Sequence, residues 1–379
     1  MEFAFNDNQE ALHASAREVL SERSTSQVIR KAMKSKAGTD EGLWKQVVEL
    51  GWPSVGIDEA HGGLGLGLVE EAIVAEQIGG TVAPVPFFST VGLAKQVVAQ
   101  APDGARRDGF LRGIAEGRRA TLVLGQKEGR FDAPGVAVKA KRDGDGWTLS
   151  GTASLAPEAH LADDLVVVAR TALTRNKEEG LSLFIVPADA LRSKPKPQPS
   201  LDGTRRLADV RVSGVSVPSD ALITPEGEAW PVVERGLDRA AVLLAAEALG
   251  VCERVLEVSA TYAKEREQFG RAIGSYQAIS HRLANMMLMT ETARSHVYYA
   301  AWALDEGSPD ARLAAASAKA AAAEAAKFVS NSGIQVHGGI GFTWEHDMHL
   351  LYRRAKFCEL YLGDADTWRA RIADLLVSA

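Results

Sequence analysis

GLDRAAVLLAAEALGVCERVLEVSATY, residues 236–262, decides the fold. Leu237, Ala241, Leu244, Ala248, Val251, Val255, Val258 and Tyr262 follow one another in alternating steps of four and three. That spacing draws a single apolar stripe down a helix of about 25 residues. The chain repeats the pattern further on. A second long helix is expected from Gln277 to Glu306, an Ala-rich third over residues 311–330, and a fourth beginning near His346. Four long helices with short connections predict an up-down bundle. Upstream the period changes. Ala120–Leu124, Leu165–Ala169 and Leu181–Val186 are short apolar runs, and valines alternate with polar residues around Gly214. Short strands at such intervals predict a small β-barrel or sandwich. Before them, helical stretches at residues 9–22, 43–50 and 68–78 are separated by Gly-rich loops. The expected fold class is therefore α+β and multidomain. It has an N-terminal helical domain (1–117), a middle β-barrel domain (118–225) and a C-terminal four-helix bundle (226–379).

Composition narrows the function classes. A chain of 379 residues suggests two or three domains. Its 46% apolar and 24% charged residues are ordinary for a folded protein. The net charge is −6 and the basic residues form no stripe, which argues against a nucleic-acid partner. Cys252 and Cys358 have no CxxC spacing, so neither a disulfide framework nor a metal site is expected. MEFAFNDNQEAL has no basic or apolar segment of a signal peptide, and no run reaches the ~18 apolar residues of a membrane span. The expectation is a cytoplasmic protein acting on small molecules.

Four segments carry a family resemblance. REQFGRAIGSYQ (266–277) resembles the RxxFGxxIxxxQ segment of acyl-CoA dehydrogenases, and IQVHGGIGFTWEHDMHLLYRRAK (334–356) resembles their QxxGGxGF segment. LWKQVVELGW with IDEAHGGLGLG (43–52 and 57–67) is similar to their N-terminal helix and PEEYGGxGxG loop, and VRVSGVSVPSDALI (210–223) to the strand closing their middle domain. The resemblance implies FAD. Arg266 is then the pyrophosphate ligand, since a planar, permanently charged guanidinium suits that group. Gln268, Phe269, Ile273, Tyr276 and Gln277 complete the first segment's share of the clasp, and Gln335, Gly338 and Gly339 the second's. Glycines there let backbone approach a ligand closely. In the family the two motifs belong to different subunits around one flavin. The resemblance thus implies an oligomer, homomeric or heteromeric, usually a dimer of dimers. It also implies an acyl-CoA substrate and an electron-transfer flavoprotein as acceptor.

The family's reaction needs a carboxylate for the α-proton and a donor to polarise the thioester carbonyl. The usual base is the Glu of a YEGT motif; here the stretch reads YLGD (361–364) and the position is Leu362. Its backbone N–H remains available to the thioester oxygen. Some members carry the acid instead just before an Arg early in the first bundle helix, which here is Asp238-Arg239. The resemblance makes Asp238 the base and Arg239 its partner; an acid in the helix's first turn, favoured by the dipole, is the plain alternative. Glu247 and Glu359 are expected to be solvated or paired. The middle domain departs further. LGQKEGRFDAPG (124–135) lacks the hydroxyls of the TEPxxGS segment, LAPE (155–158) replaces a WITN-like strand, and Asp364 and Asp366 stand where neutral residues are usual. Two functions follow as expectations. One is an FAD-dependent acyl-CoA dehydrogenase of fatty acid or steroid degradation. The other is a non-catalytic or half-site subunit of a heteromeric one, lending its clasp to a partner chain.

Overall fold

A computed structural model describes residues 4–126 and 128–377. Lys127, inside the LGQKEGRFDAPG stretch, lies outside the described residues. The order of elements is α1 (Asp7–Arg23), α2 (Ser26–Lys34), α3 (Glu41–Glu49), α4 (Leu68–Gly80), a π-helical segment (Phe88–Lys95), α5 (Gln96–Ala99) and α6 (Ala105–Ala115). The strands follow: β1 (Ala120–Val123), β2 (Lys139–Asp143), β3 (Gly146–Pro157), β4 (Asp164–Arg170), β5 (Leu181–Pro187), β6 (Lys196–Pro197) and β7 (Leu207–Val217). Last come α7 (Trp230–Glu265), the short pair β8 (Glu267–Gln268) and β9 (Arg271–Ala272), α8 (Gln277–Asp305), α9 (Ala311–His337), α10 (Met348–Leu360) and α11 (Ala365–Val377). The chain thus has N-terminal helices, a middle curled sheet and C-terminal helices. No helix among the described residues is long and apolar enough to cross a membrane.

The residues group into two compact units, and α7 runs through both. One unit holds the described residues up to Lys31, Gly67–Ala83 and the described residues from Ala241 on. Here α9 packs against α8, α10 and α11. Its run of alanines keeps its surface shallow, so neighbours come close on several sides. Glycines do the same between α4 and α7. A Cβ on Gly250 would lie 1.8 Å from the Glu76 carbonyl oxygen, and one on Gly79 2.0 Å from that of Glu247. Two helix differences bear on the site. The Ala-rich helix continues past Ser330 to His337, because Val329, Ile334 and Val336 bury an apolar face there. And α7 starts at Trp230, so Asp238 is its ninth residue and lies beyond the first turn. A dipole preference therefore does not explain that carboxylate.

The other unit holds Ala32–Leu66 and Pro84–Ala240. Its sheet runs β1-β4-β2-β3-β7-β6, with β5 also paired to β4. β1 and β2 run parallel to β4, and the remaining pairings are antiparallel. The curl encloses one apolar core, in which Trp147 meets Phe184 edge-on at 5.5 Å. The β3–β7 ladder slips twice, between Leu149 and Ser150 and between Ala153 and Ala156. Such bulges re-aim the side chains that follow, and the second falls on the LAPE stretch.

Candidate cofactor and active site

Between α7 and α8 the chain makes a tight hairpin, with Glu267 opposite Ala272 and Gln268 opposite Arg271. Its turn residues Phe269 and Gly270 both have positive φ, 54° and 78°, the mark of a type I′ turn. Glycine adopts that region freely; a phenylalanine there costs about 1 kcal/mol. Phe269 is nonetheless 94% exposed. A strained backbone thus presents an aromatic side chain away from its own core. Bonds behind the turn hold it. The Ile273 N–H donates to the Arg266 carbonyl (2.8 Å), and the Tyr276 hydroxyl to that of Gln268 (3.0 Å). The Arg271 guanidinium lies 4.0 Å over the Tyr276 ring, which meets Phe269 edge-on.

Beside the hairpin is a cavity of about 370 Å³, lined by Tyr262, Arg266, Gln268, Phe269, Ile273, Tyr276, Ile279, Val336, His337 and Gly338. Two motifs some 60 residues apart in sequence, expected to reach one flavin from different subunits, line one cavity of a single chain here. The Arg266 guanidinium has no ion-pair or hydrogen-bond partner among the described residues. Gly338 has a φ of 63°, and a Cβ on either it or Gly339 would meet nothing within 4 Å. An unspent cation, aromatic faces and a bare backbone edge fit the phosphate and ring of a nucleotide. Three residues of the expected clasp do not line this cavity. Gln277 opens α8 and lines a separate cavity with His281, Arg282 and Phe328. Gln335 is exposed on α9, and Gly339 sits in the turn after it; neither lines the hairpin cavity.

Tyr262 and His337 belong to the cavity wall although the sequence reading did not select them. Tyr262 is the last residue of the α7 stripe, where an apolar reading absorbs it. His337 lies inside the motif, between the amide and the glycines. The two rings stack at 4.5 Å. His337 Nδ1 is 2.8 Å from the Gly333 carbonyl, which only accepts, so the proton is assigned to Nδ1. Burial holds the imidazole below its ordinary range, and it is a neutral wall.

Because Gly339 has ordinary φ and open space around it, its replacement separates binding from folding. Gly339→Val is expected to leave the thermal melting of the flavin-free protein unchanged while weakening flavin binding. Loss of the flavin-free fold in that variant would make the glycine structural instead.

The proposed base lies in the part of α7 that belongs to the sheet-containing unit. Asp238 is 1% exposed. Arg239 Nε donates to Gln96 Oε1 at 3.0 Å, and Gln96 is itself fully buried. A Cβ on Gly236 would lie 2.5 Å from the Val97 Cα, so α5 and this turn of α7 meet backbone to backbone. Arg239 is therefore tied to Gln96, on a turn of α7 that packs closely against α5. The competing carboxylates are spoken for. Glu247 pairs with the buried Arg354 at 2.7 Å, and Glu359 with Lys356 at 2.6 Å.

YLGD follows α10. Leu362 has a φ of 62° and Gly363 one of 103°. The Leu362 carbonyl accepts from Trp368 Nε1 at 3.0 Å, while its N–H has no partner among the described residues. The two acids beyond it are occupied. Asp364 caps α11 by accepting from the Thr367 N–H (2.9 Å) and hydroxyl (2.7 Å), bonds that lower its pKa. Asp366 accepts from Arg369 at 3.0 Å. In the LAPE stretch Leu155 and Glu158 have φ of 61° and 49°. Glu158 and Arg205, both sealed from solvent, approach to 3.3 Å.

Comparison with known proteins agrees with this layout. The acyl-CoA dehydrogenase N-terminal domain model matches residues 6–118, and the C-terminal domain model residues 227–377. "Acyl-CoA dehydrogenase IpdE2" of Mycobacterium tuberculosis is 34% identical over 86% of this chain and 84% of its own. Among solved structures, the Tcur3481-Tcur3483 steroid ACAD superposes with a TM-score of 0.88 at 31% identity, covering 98% of each chain. The ChsE4-ChsE5 complex from Mycobacterium tuberculosis does so with 0.90 at 27% identity, over 100% of each. On these matches and on the motifs the hairpin brings together, the chain belongs to the acyl-CoA dehydrogenase family.

Proposed function

We propose that this protein carries out FAD-dependent α,β-dehydrogenation of an acyl-CoA thioester with Asp238 as the base. The observation that carries the reading is Asp238 buried on α7 beside Arg239, whose guanidinium is tied to the buried Gln96. Asp238 takes the α-proton. Arg239, tied to Gln96, balances the charge nearby. The Leu362 N–H offers its proton to the thioester oxygen, which stabilises the negative charge that grows there as the α-proton leaves. Arg266, Gln268, Phe269, Ile273, Tyr276 and Gly338 would hold the dinucleotide, with Gln277, Gln335 and Gly339 contributing from outside that cavity. Bound FAD would supply the two-electron acceptor that these side chains lack. An electron-transfer flavoprotein is the proposed onward acceptor, and a dimer of dimers the proposed assembly. A thioester incubated with the protein and an artificial acceptor should emerge two hydrogens lighter. Unchanged thioester, with the protein folded and flavin bound, would refute the activity.

A second reading rests on the β3 end. The LAPE stretch keeps neither the aromatic nor the hydroxyl of WITN, and Glu158 is sealed against Arg205. A chain that lacks the ring-side contacts yet keeps the Arg266 cavity would serve as a half-site subunit, lending that clasp to a partner. The two-component names of the Tcur3481-Tcur3483 and ChsE4-ChsE5 relatives support it, and the former's name supports a steroid-derived acyl group.

A further inference from the structure

Lys319 is a cation with no contact to water. It lies on the Ala-rich α9 and is 0% exposed. No carboxylate pairs with its ammonium among the described residues. Its Nζ donates instead to three backbone carbonyls: Cys358 at 2.9 Å, Glu359 at 3.2 Å and Gly363 at 3.0 Å. An ammonium has three N–H donors, and all three are used. Two acceptors are carbonyls of the last turn of α10, which has no further helical N–H groups to offer them. The third lies beyond Leu362. The lysine therefore bridges the helix end and the turn, with Leu362 between its anchor points.

That span is where the backbone is least at ease. Leu362 holds a left-handed φ that an ordinary side chain disfavours, and a strained residue persists only where its surroundings over-determine it. Trp368 fixes the Leu362 carbonyl from the other side. With both flanks pinned, the Leu362 N–H is left unpaired. We propose that Lys319 is a positioning residue: its three carbonyl bonds hold the 358–363 turn so that the Leu362 N–H is aimed at the thioester oxygen. This rests on the role given to Leu362 above.

The protonation state adds a second handle. Burial brings the Lys319 pKa down to about 8. The titratable groups facing it are Cys358 and Glu359 of α10 and Asp364 before α11. Above that pH a neutral amine keeps two donors and turns a lone pair toward the third carbonyl, so the turn loosens as pH rises.

The test uses a conjugated aryl-acryloyl-CoA, whose absorption moves to the red as its carbonyl is polarised, with hydrogen exchange of the 358–364 peptide as an independent readout. The flavin-loaded protein, with any partner it needs, should shift the probe. Lys319→Met, similar in length but uncharged, should lose the shift, exchange the peptide about tenfold faster, and bind free CoA and flavin within twofold of the parent. If that variant does not fold, the parent alone decides: its shift should fade between pH 7 and 9.5. An unaltered exchange rate in a folded Lys319→Met, or a shift in the parent that persists across that pH range, overturns the proposal. Faster exchange with the red shift intact overturns the Leu362 role on which it rests, and so tells the two failures apart.

Discussion

Asp238→Asn should lower turnover by about 10²- to 10⁴-fold, the usual loss when a general base is removed, with flavin content unchanged. Asparagine nearly matches aspartate in size and hydrogen bonding, so the packing of a residue only 1% exposed is kept. It cannot take a proton at neutral pH. Arg239 should keep its bond to Gln96, since that contact does not involve residue 238. Asp238→Glu is the companion, restoring the longer acid of the relatives whose base sits at this point. It should retain activity, because it changes reach rather than chemistry. Steady-state rates with an acyl-CoA and an artificial acceptor decide the matter. Turnover of Asp238→Asn within a few-fold of the parent would remove Asp238 from the role.

Arg266→Ala should weaken flavin binding by at least tenfold and leave the fold intact. A charge-assisted bond to a phosphate contributes roughly 1.5–3 kcal/mol, and the guanidinium has no partner among the described residues whose loss would disturb the chain. The hairpin survives, because Arg266 enters it through its backbone carbonyl. Arg266→Lys should recover only part of the affinity, since an ammonium cannot reproduce the planar fork. Equilibrium titration with flavin, alongside circular dichroism, separates binding from folding. Equal affinity in Arg266→Ala would take the cavity out of cofactor binding.

Much of this was legible in the residues. The α7 stripe repeats at helical period over 26 residues, long enough to leave no rival reading. The buried strands β4 and β5 stand out because β-branched and apolar residues dominate them, with Ser182 the one polar residue among Leu165–Ala169 and Leu181–Val186. The sequence reading also passed over α2, α6 and α11, and other elements that escaped notice were short or made by tertiary contact. α5 has four residues, too few for a period. The β8–β9 hairpin has two residues per strand, and only its Phe-Gly tip marks it. In the site, Arg266 and Gly338 could be named because their motif spells them out. Lys319 could not. It sits in an alanine run that reads as close packing, and its partners are backbone carbonyls about 40 residues away, to which sequence pattern is blind. The occupied state of Asp364 was equally hidden, because an N-cap depends on where the next helix starts.

The flavin content and thioester response of the chain purified without any other subunit test the central claim most directly. The account predicts a yellow protein with about one FAD per chain, whose flavin colour bleaches when an acyl-CoA is added without an acceptor. A folded but colourless chain that takes up FAD only when co-expressed with a partner would contradict it, and would make this protein the half-site subunit.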